Sequence, residues 1–339
     1  MSRTRITMDL RKAIILINLL LLITPVSASY AGDKPLQTVL YDKHQGALEF
    51  SLGDSRYSGE LEHNNSYQVN FDIELPAGSS VRVAKAYVYW VWSKKGLEGI
   101  YPKFNASLVH SGTVLPLQGG QMYTDTKGFV SRYDFFSGAN AFDLSEEISE
   151  SGTYSISLVN SAEDGSTFCV QGIGLLLVYE GSELPVIEYW VNEGCDMLYA
   201  EYGIDPEMAT TTAYFEGDIN SENIATARLI TVSPSGGYSS GTGARNRLYF
   251  NEKTGSIPVI GDIIQILFGG GKSWKNIYQT NETVQVALDE RQVGTYLEPV
   301  ENFVSIQDNG DYLLATNAIL VLEYKEPENK EPENPGEGS

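Results

Sequence analysis

The chain carries two cysteines, Cys169 and Cys195, and three histidines, His44, His63 and His110. The histidines share no i, i+2 or i, i+4 spacing and no cysteine lies near them, so a zinc set is not expected. The two thiols are read first as a disulfide, because the N-terminus has the layout of an export signal and oxidising surroundings favour pairing. Their midpoint falls at Ser182, inside the turn Gly181-Ser182-Glu183 between two β-rich runs. An antiparallel hairpin folded there would set Cys169 opposite Cys195. Closing a loop of about 25 residues would contribute roughly 3–4 kcal/mol in the chain-entropy account.

Other chemistry is thinner. Gly237-Tyr238-Ser239-Ser240-Gly241 matches the nucleophile-elbow pattern, but that device needs a later histidine, and all three histidines lie upstream. Gly269-Gly270-Gly271-Lys272-Ser273 has the end of a phosphate loop, yet the position of its first glycine is Ile266. No catalytic constellation and no cofactor motif results. Oxygen ligands for calcium could come from Asp308, Asn309 and Asp311, with Glu163 and Asp164 at a related turn. Asp-Asn-Gly and Asp-Gly are first of all hairpin turns, so these are weak candidates and no metal site is assigned. Tyr87 and Tyr89 alternate on a strand and could form an aromatic platform for a sugar, although tyrosine is also a favoured strand residue. Asn64, Asn105 and Asn281 each begin an N-glycosylation sequon.

The elements that must position these residues are strands. Short runs rich in Val, Ile, Tyr and Thr are punctuated by Gly, Asn, Asp or Pro, as in a sandwich or jelly-roll-like barrel. Over 83–92, Ala84, Ala86, Val88, Trp90 and Trp92 share one face, with Lys85, Tyr87 and Tyr89 on the other. The first set is assigned to the core. Leu175, Leu177 and Tyr179 alternate with Leu176 and Val178, so both faces are apolar and the strand is expected to be buried on both sides. Ile204–Ala209 offers an Asp cap and a first-turn Pro for one short helix, and Asp143–Ile148 reads as a further turn.

The pattern is written twice. Ile173-Gly174-Leu175-Leu176-Leu177-Val178-Tyr179 returns loosely as Ala318-Ile319-Leu320-Val321-Leu322-Glu323-Tyr324, an offset of 145 residues. Val83–Val88 returns as Ile224–Leu229 at 141, and Leu36, Tyr41 and Gly46 as Leu184, Tyr189 and Gly194 at 148. The reading is all-β: two tandem, duplicated β-sandwich domains of jelly-roll-like build, over 32–182 and 183–324. Cys169 and Cys195 have Leu314 and Ala47 as repeat counterparts, so the expected disulfide is a staple at the junction of the units.

The ends are read separately. Basic Arg3, Arg5, Arg11 and Lys12, the apolar run Ala13–Ile23 and the small-residue sites up to Ala31 form a secretory signal over 1–31; the run is short for a membrane span. The tail 325–339, with Glu-Pro-Glu-Asn twice and no large apolar residue, is expected to be a disordered acidic spacer. A net charge of −21 disfavours nucleic acid and anionic membranes as partners.

Tyr87-Val88-Tyr89-Trp90-Val91-Trp92-Ser93, Gly172–Glu180, Ile187–Gly194 and Asn317–Val321 resemble the domain of unknown function 3344 family, over roughly 36–324. The resemblance implies a secreted or surface protein of a methanogenic archaeon, and it supplies no activity, cofactor or catalytic residue. The expectation is thus an extracellular or cell-surface protein with a structural or adhesive role, in contact with other envelope proteins or glycans. A carbohydrate-binding module is the second reading and an extracellular hydrolase the third.

Overall fold

The structure is a computed structural model that describes residues 32–127, 135–201, 203–236, 246–252, 270–310 and 312–326. The expected signal, most of the tail, the segment Gly237–Gly241 and Asp311 lie outside them. The described residues form β-strands and two short 3-10 turns, with no α-helix. None of their helices is long and apolar enough to cross a membrane.

In the first half the strands are β1 (Gln37–Ser51), β2 (Glu60–Leu61), β3 (Ser66–Ile73), β4 (Ser80–Lys95), β5 (Glu98–Gly99), β6 (Phe104–His110), β7 (Thr113–Leu117), β8 (Gln121–Thr124), β9 (Phe136–Asp143), β10 (Gly152–Asn160) and β11 (Thr167–Glu180). The second half adds β12 (Val186–Leu198), β13 (Thr210–Phe215), β14 (Ile224–Pro234), β15 (Arg247–Phe250), β16 (Lys272–Lys275), β17 (Val286–Gln292), β18 (Asn302–Gln307) and β19 (Leu313–Tyr324).

Strand order repeats between the halves. In the first half, β1-β11-β4-β9 faces β3-β10-β6-β7, with β8 added beyond β9 and the short β2 and β5 on β11 and β4; in the second, β12-β19-β14-β17 faces β13-β18-β15-β16. Each pair of sheets closes on its own core. Ala84, Ala86, Val88 and Trp90 of β4 meet Val69, Phe71, Leu108, Ile156 and Leu158. Ala227 and Leu229 of β14 meet Phe215, Leu248, Val304 and Ile306. The small alanines at matching places, Ala86 and Ala227, let the facing sheet come close, as their spacing predicts. Ala225, the counterpart of Ala84 at the 141-residue offset, is instead exposed at an irregularity in the β14 register. Trp92 also departs from expectation. A bulge between Trp90 and Ser93 and a left-handed φ of 58° turn it outward, 44% exposed.

A third core joins the halves. The faces of β4, β9 and β11 turned away from the first core pack on those of β12, β14 and β19, bringing Tyr87, Tyr89, Leu176 and Val178 against Tyr189, Val191, Ile230, Ile319 and Val321. Four sheets are thereby stacked, and β11 and β19 are buried on both sides as their two-faced apolar runs require.

β1 links the two middle sheets. Its residues 37–45 pair with β12 and its residues 46–51 with β11. The switch falls at Gly46, where a Cβ would lie 2.2 Å from the Tyr179 carbonyl oxygen and where the amide donates to the Pro185 carbonyl at 2.9 Å. Only a residue without a side chain fits there. Because β1 takes up their facing edges, β11 and β12 do not pair with each other across the 181–185 turn. The hairpin register that would have joined the cysteines therefore does not form. Cys169 lies beside Glu60 and Val91, Cys195 packs with Met197 and Leu314, and both are buried free thiols.

The segment Ile204–Ala209 makes a turn and no helix. Asp205 caps it as expected, its side chain accepting from the Met208 amide at 2.8 Å.

Candidate functional site

The outer sheet of the second half presents an open groove of about 800 Å³. Strands β13 and β18 build it by simple alternation. Ala213, Phe215, Val304 and Ile306 point into the core, while Thr212, Tyr214, Phe303 and Ser305 point out. The outward residues stand opposite one another in register, Tyr214 with Phe303 and Thr212 with Ser305. The aromatic centroids are 6.1 Å apart at 45°, and Tyr214 is 54% exposed. Glu216, Asp218 and Glu301 rim the groove. An aromatic pair beside hydroxyls and carboxylates can stack on a sugar ring and accept from its hydroxyl groups.

A second constellation lies where the N-terminal segment and the loop after β8 meet β12. The Lys127 side chain has no exposed area, and its Nζ lies 2.6 Å from Asp125 Oδ2, 2.6 Å from Asp196 Oδ1, and against Asp33. Asp125 and Asp196 are buried and Asp33 is partly exposed. Backbone amides fix the carboxylates: Met197 N–H donates to Asp125 Oδ2 at 3.0 Å and Lys34 N–H to Asp196 Oδ2 at 3.2 Å. Lys34 Nζ adds a contact to Asp125 at 3.2 Å. Burial pushes the Asp196 carboxyl up to about 6 against the pull of Lys127. Asp125 experiences the same burial, but the hydrogen bond and charge of Lys127 and the amide donors hold it below the usual carboxylate range. The carboxylates in turn hold Lys127 above its ordinary value, against its burial. These three aspartates bring oxygens within 4.8 Å of one another, as a cation site would. The Lys127 ammonium contacts all three and itself supplies the cation.

A third polar cluster sits in the seam. Glu193 accepts from Tyr87 at 2.7 Å and from Tyr123 at 2.8 Å, and pairs with Lys85; Tyr89 donates to Asn317 at 2.8 Å. Burial, then the Glu193 charge, pushes the Tyr87 phenol well up, so it stays a neutral donor. Tyr87 and Tyr89 are therefore not a ligand-facing platform. Their side of β4 is covered by the second half of the chain, which strand alternation alone could not report.

The remaining sequence candidates are dispersed. Asn64, Asn105 and Asn281 are all exposed, the condition their modification requires. Asp308 is buried and accepts from the Ala200 amide at 2.5 Å and the Gly310 amide at 3.4 Å, so it shapes its turn. Gly271 precedes β16, and a Cβ on it would lie 2.0 Å from the Phe250 carbonyl oxygen.

Residues 29–323 match the family described as protein of unknown function (DUF3344). The chain belongs to that family. The DUF3344 chain finds no match among curated proteins. Similar solved structures include the major capsid protein P2 from bacteriophage PM2, at 10% identity, covering 82% of this chain and 98% of that one with a TM-score of 0.21. A recombinant N-glycanase F (PNGase F) is 11% identical, with 83% and 96% coverage and a TM-score of 0.25. PNGase F from Flavobacterium meningosepticum, a glycosylasparaginase, is 10% identical, with 83% and 97% coverage and a TM-score of 0.26.

The groove and the lysine cage were missed from the sequence. Alternation over Thr210–Phe215 was a usable signal for the groove, because it places Thr212 and Tyr214 on one face. The cage left only Asp125-Thr126-Lys127, since its other members are distant along the chain.

Proposed function

We propose that this DUF3344 protein is a non-catalytic structural or adhesive element of the cell surface, built from two tandem sandwiches of jelly-roll-like build exported by the segment 1–31. The observation that carries the reading is the third core. Two sandwiches that could have been joined by a flexible linker instead bury apolar faces and the Glu193 cluster against each other. Such packing resists bending between the units, which suits a part that spaces or presents other surfaces. The repeated sheet orders support the jelly-roll assignment, because each half contains two facing four-strand orders as that architecture does, with β2, β5 and β8 added in the first half. Co-sedimentation of the purified chain with envelope fragments of its source organism tests the role. Saturable binding, with native protein recovered in the same fraction, is expected. Native protein confined to the cytosol would overturn the reading.

A second reading, glycan binding, is favoured by the Tyr214–Phe303 groove. Saturable binding on a glycan array that is lost in Tyr214→Ala would promote it over a purely structural role.

A further inference from the structure

The lysine cage sits on the seam. Lys127 belongs to the first half of the chain and Asp196 to the second, and both side chains are sealed from solvent. An ion pair so deeply buried is a weak source of stability, because desolvation offsets most of the attraction. The arrangement has instead the parts of an acyl-transfer centre. It holds an amine, a carboxyl to receive it, a second carboxylate beside both, and an amide hydrogen aimed at the carboxyl oxygen that does not touch the amine.

We propose that Lys127 and Asp196 condense to an intramolecular isopeptide bond, with Asp125 as the proton carrier, locking the two halves together covalently. The Lys127 proton first passes along the 2.6 Å contact to Asp196, giving a neutral amine and a neutral carboxyl. That exchange removes two buried charges of this pair, against the pull of Asp125 and Asp33, which favours the ammonium. Nζ then attacks Asp196 Cγ, forming the N–C bond. The negative charge that develops on Oδ2 is met by the Lys34 N–H, which already donates to that atom. Asp125, 2.6 Å from Nζ, takes one proton from the nitrogen and returns it to the departing hydroxyl oxygen. The C–O bond breaks and one water leaves. Reactants and products balance as ammonium plus carboxylate giving amide plus water, with no oxidant or co-reactant.

Three observations select Asp196 as the acceptor. It is fully buried and carries the carboxyl pushed up toward neutrality, whereas Asp125 is held ionised and fit to act as base. Asp33 is 43% exposed, where water would compete for its activated carboxyl. Holding amine and carboxyl in contact replaces a collision by an effective concentration of roughly 10⁵ M or more. The link would occupy the seam position where a disulfide was expected from the cysteines.

Peptide mapping of the purified wild-type chain by mass spectrometry tests this directly. The expected result is a branched tryptic product joining the segment with Lys127 to the segment with Asp196, one water lighter than their sum. Trypsin would fail to cut after Lys127. Recovery of the Lys127 segment as an unmodified linear peptide, cut at Lys127, would overturn the proposal, as would a link to Asp33 or Asp125. Lys127→Arg should abolish the branched product, and Asp125→Asn should lower its yield at least tenfold. Yield undiminished in Asp125→Asn would overturn the role of Asp125.

Discussion

The Tyr87 phenol, on the fourth strand of the first half, donates to the Glu193 carboxylate of the second half across 2.7 Å in a site closed to water. The contact converts the back of one sandwich into an interface. Hydrogen bonds to a buried charge are worth about 1.5–3 kcal/mol. Tyr87→Phe should therefore destabilise the protein by about 2 kcal/mol. Glu193→Ala should cost at least about 3 kcal/mol, because it leaves Lys85 and two phenols without their acceptor. Urea unfolding of the variants measures both, and the larger loss belongs to Glu193.

The two cysteines should behave as independent inert thiols. Burial pushes both Cys169 and Cys195 up, and the two are not joined in a disulfide. Native protein should react slowly with a thiol reagent. Unreduced, denatured protein should show two reactive groups, and dithiothreitol should leave the melting temperature unchanged. Labelling stoichiometry, read before and after reduction, decides it.

Gly46 should tolerate no side chain. A methyl group there would meet the Tyr179 carbonyl oxygen, a backbone atom that cannot move aside without disturbing β11. Gly46→Ala is expected to cost roughly 1–3 kcal/mol or more. Gly174→Ala should fall near the lower end, since its Cβ would press 2.7 Å from the rim of the Phe50 ring, which can shift. Thermal melts of the pair compare them.

His110 should titrate above the usual histidine range. Its ring bonds to the Thr153 carbonyl and then to Glu150, and both favour the protonated form. A raised folded value makes the contribution of this group fully present below an unfolded pKa of about 6.5 and lost as pH rises through the folded value. An NMR titration of the ring protons gives the folded value, and Glu150→Gln should bring it down.

Tyr214→Ala should leave stability within about 0.5 kcal/mol of wild type, since the ring is largely exposed. An effect on glycan binding without loss of stability would assign the groove a ligand role.

Much of the architecture was readable along the chain. Short punctuated apolar runs gave the β class. Leu175 to Tyr179, apolar at every position, announced a strand with two covered faces, and its echo at Leu320 to Tyr324 marked a similarly buried strand, β19. The exposed groove was half legible in the alternation of Thr212 and Tyr214. Such signals survive in sequence because a strand writes its environment at a spacing of two residues, whatever lies beyond it.

Contacts between distant segments were not written that way. The sequence placed Tyr87 and Tyr89 away from the first core, correctly, but which surface covers that side depends on how two folded units dock. The cysteines were symmetric about a turn, yet β1, more than a hundred residues earlier, took the edges their hairpin needed. Lys127, Asp125 and Asp196 carry no common spacing, and only the stacking of four sheets brings them to one sealed point. Local periodicity determined which faces are apolar; the tertiary structure decided which partner each face meets, because partner choice rests on shape and burial summed over the whole body.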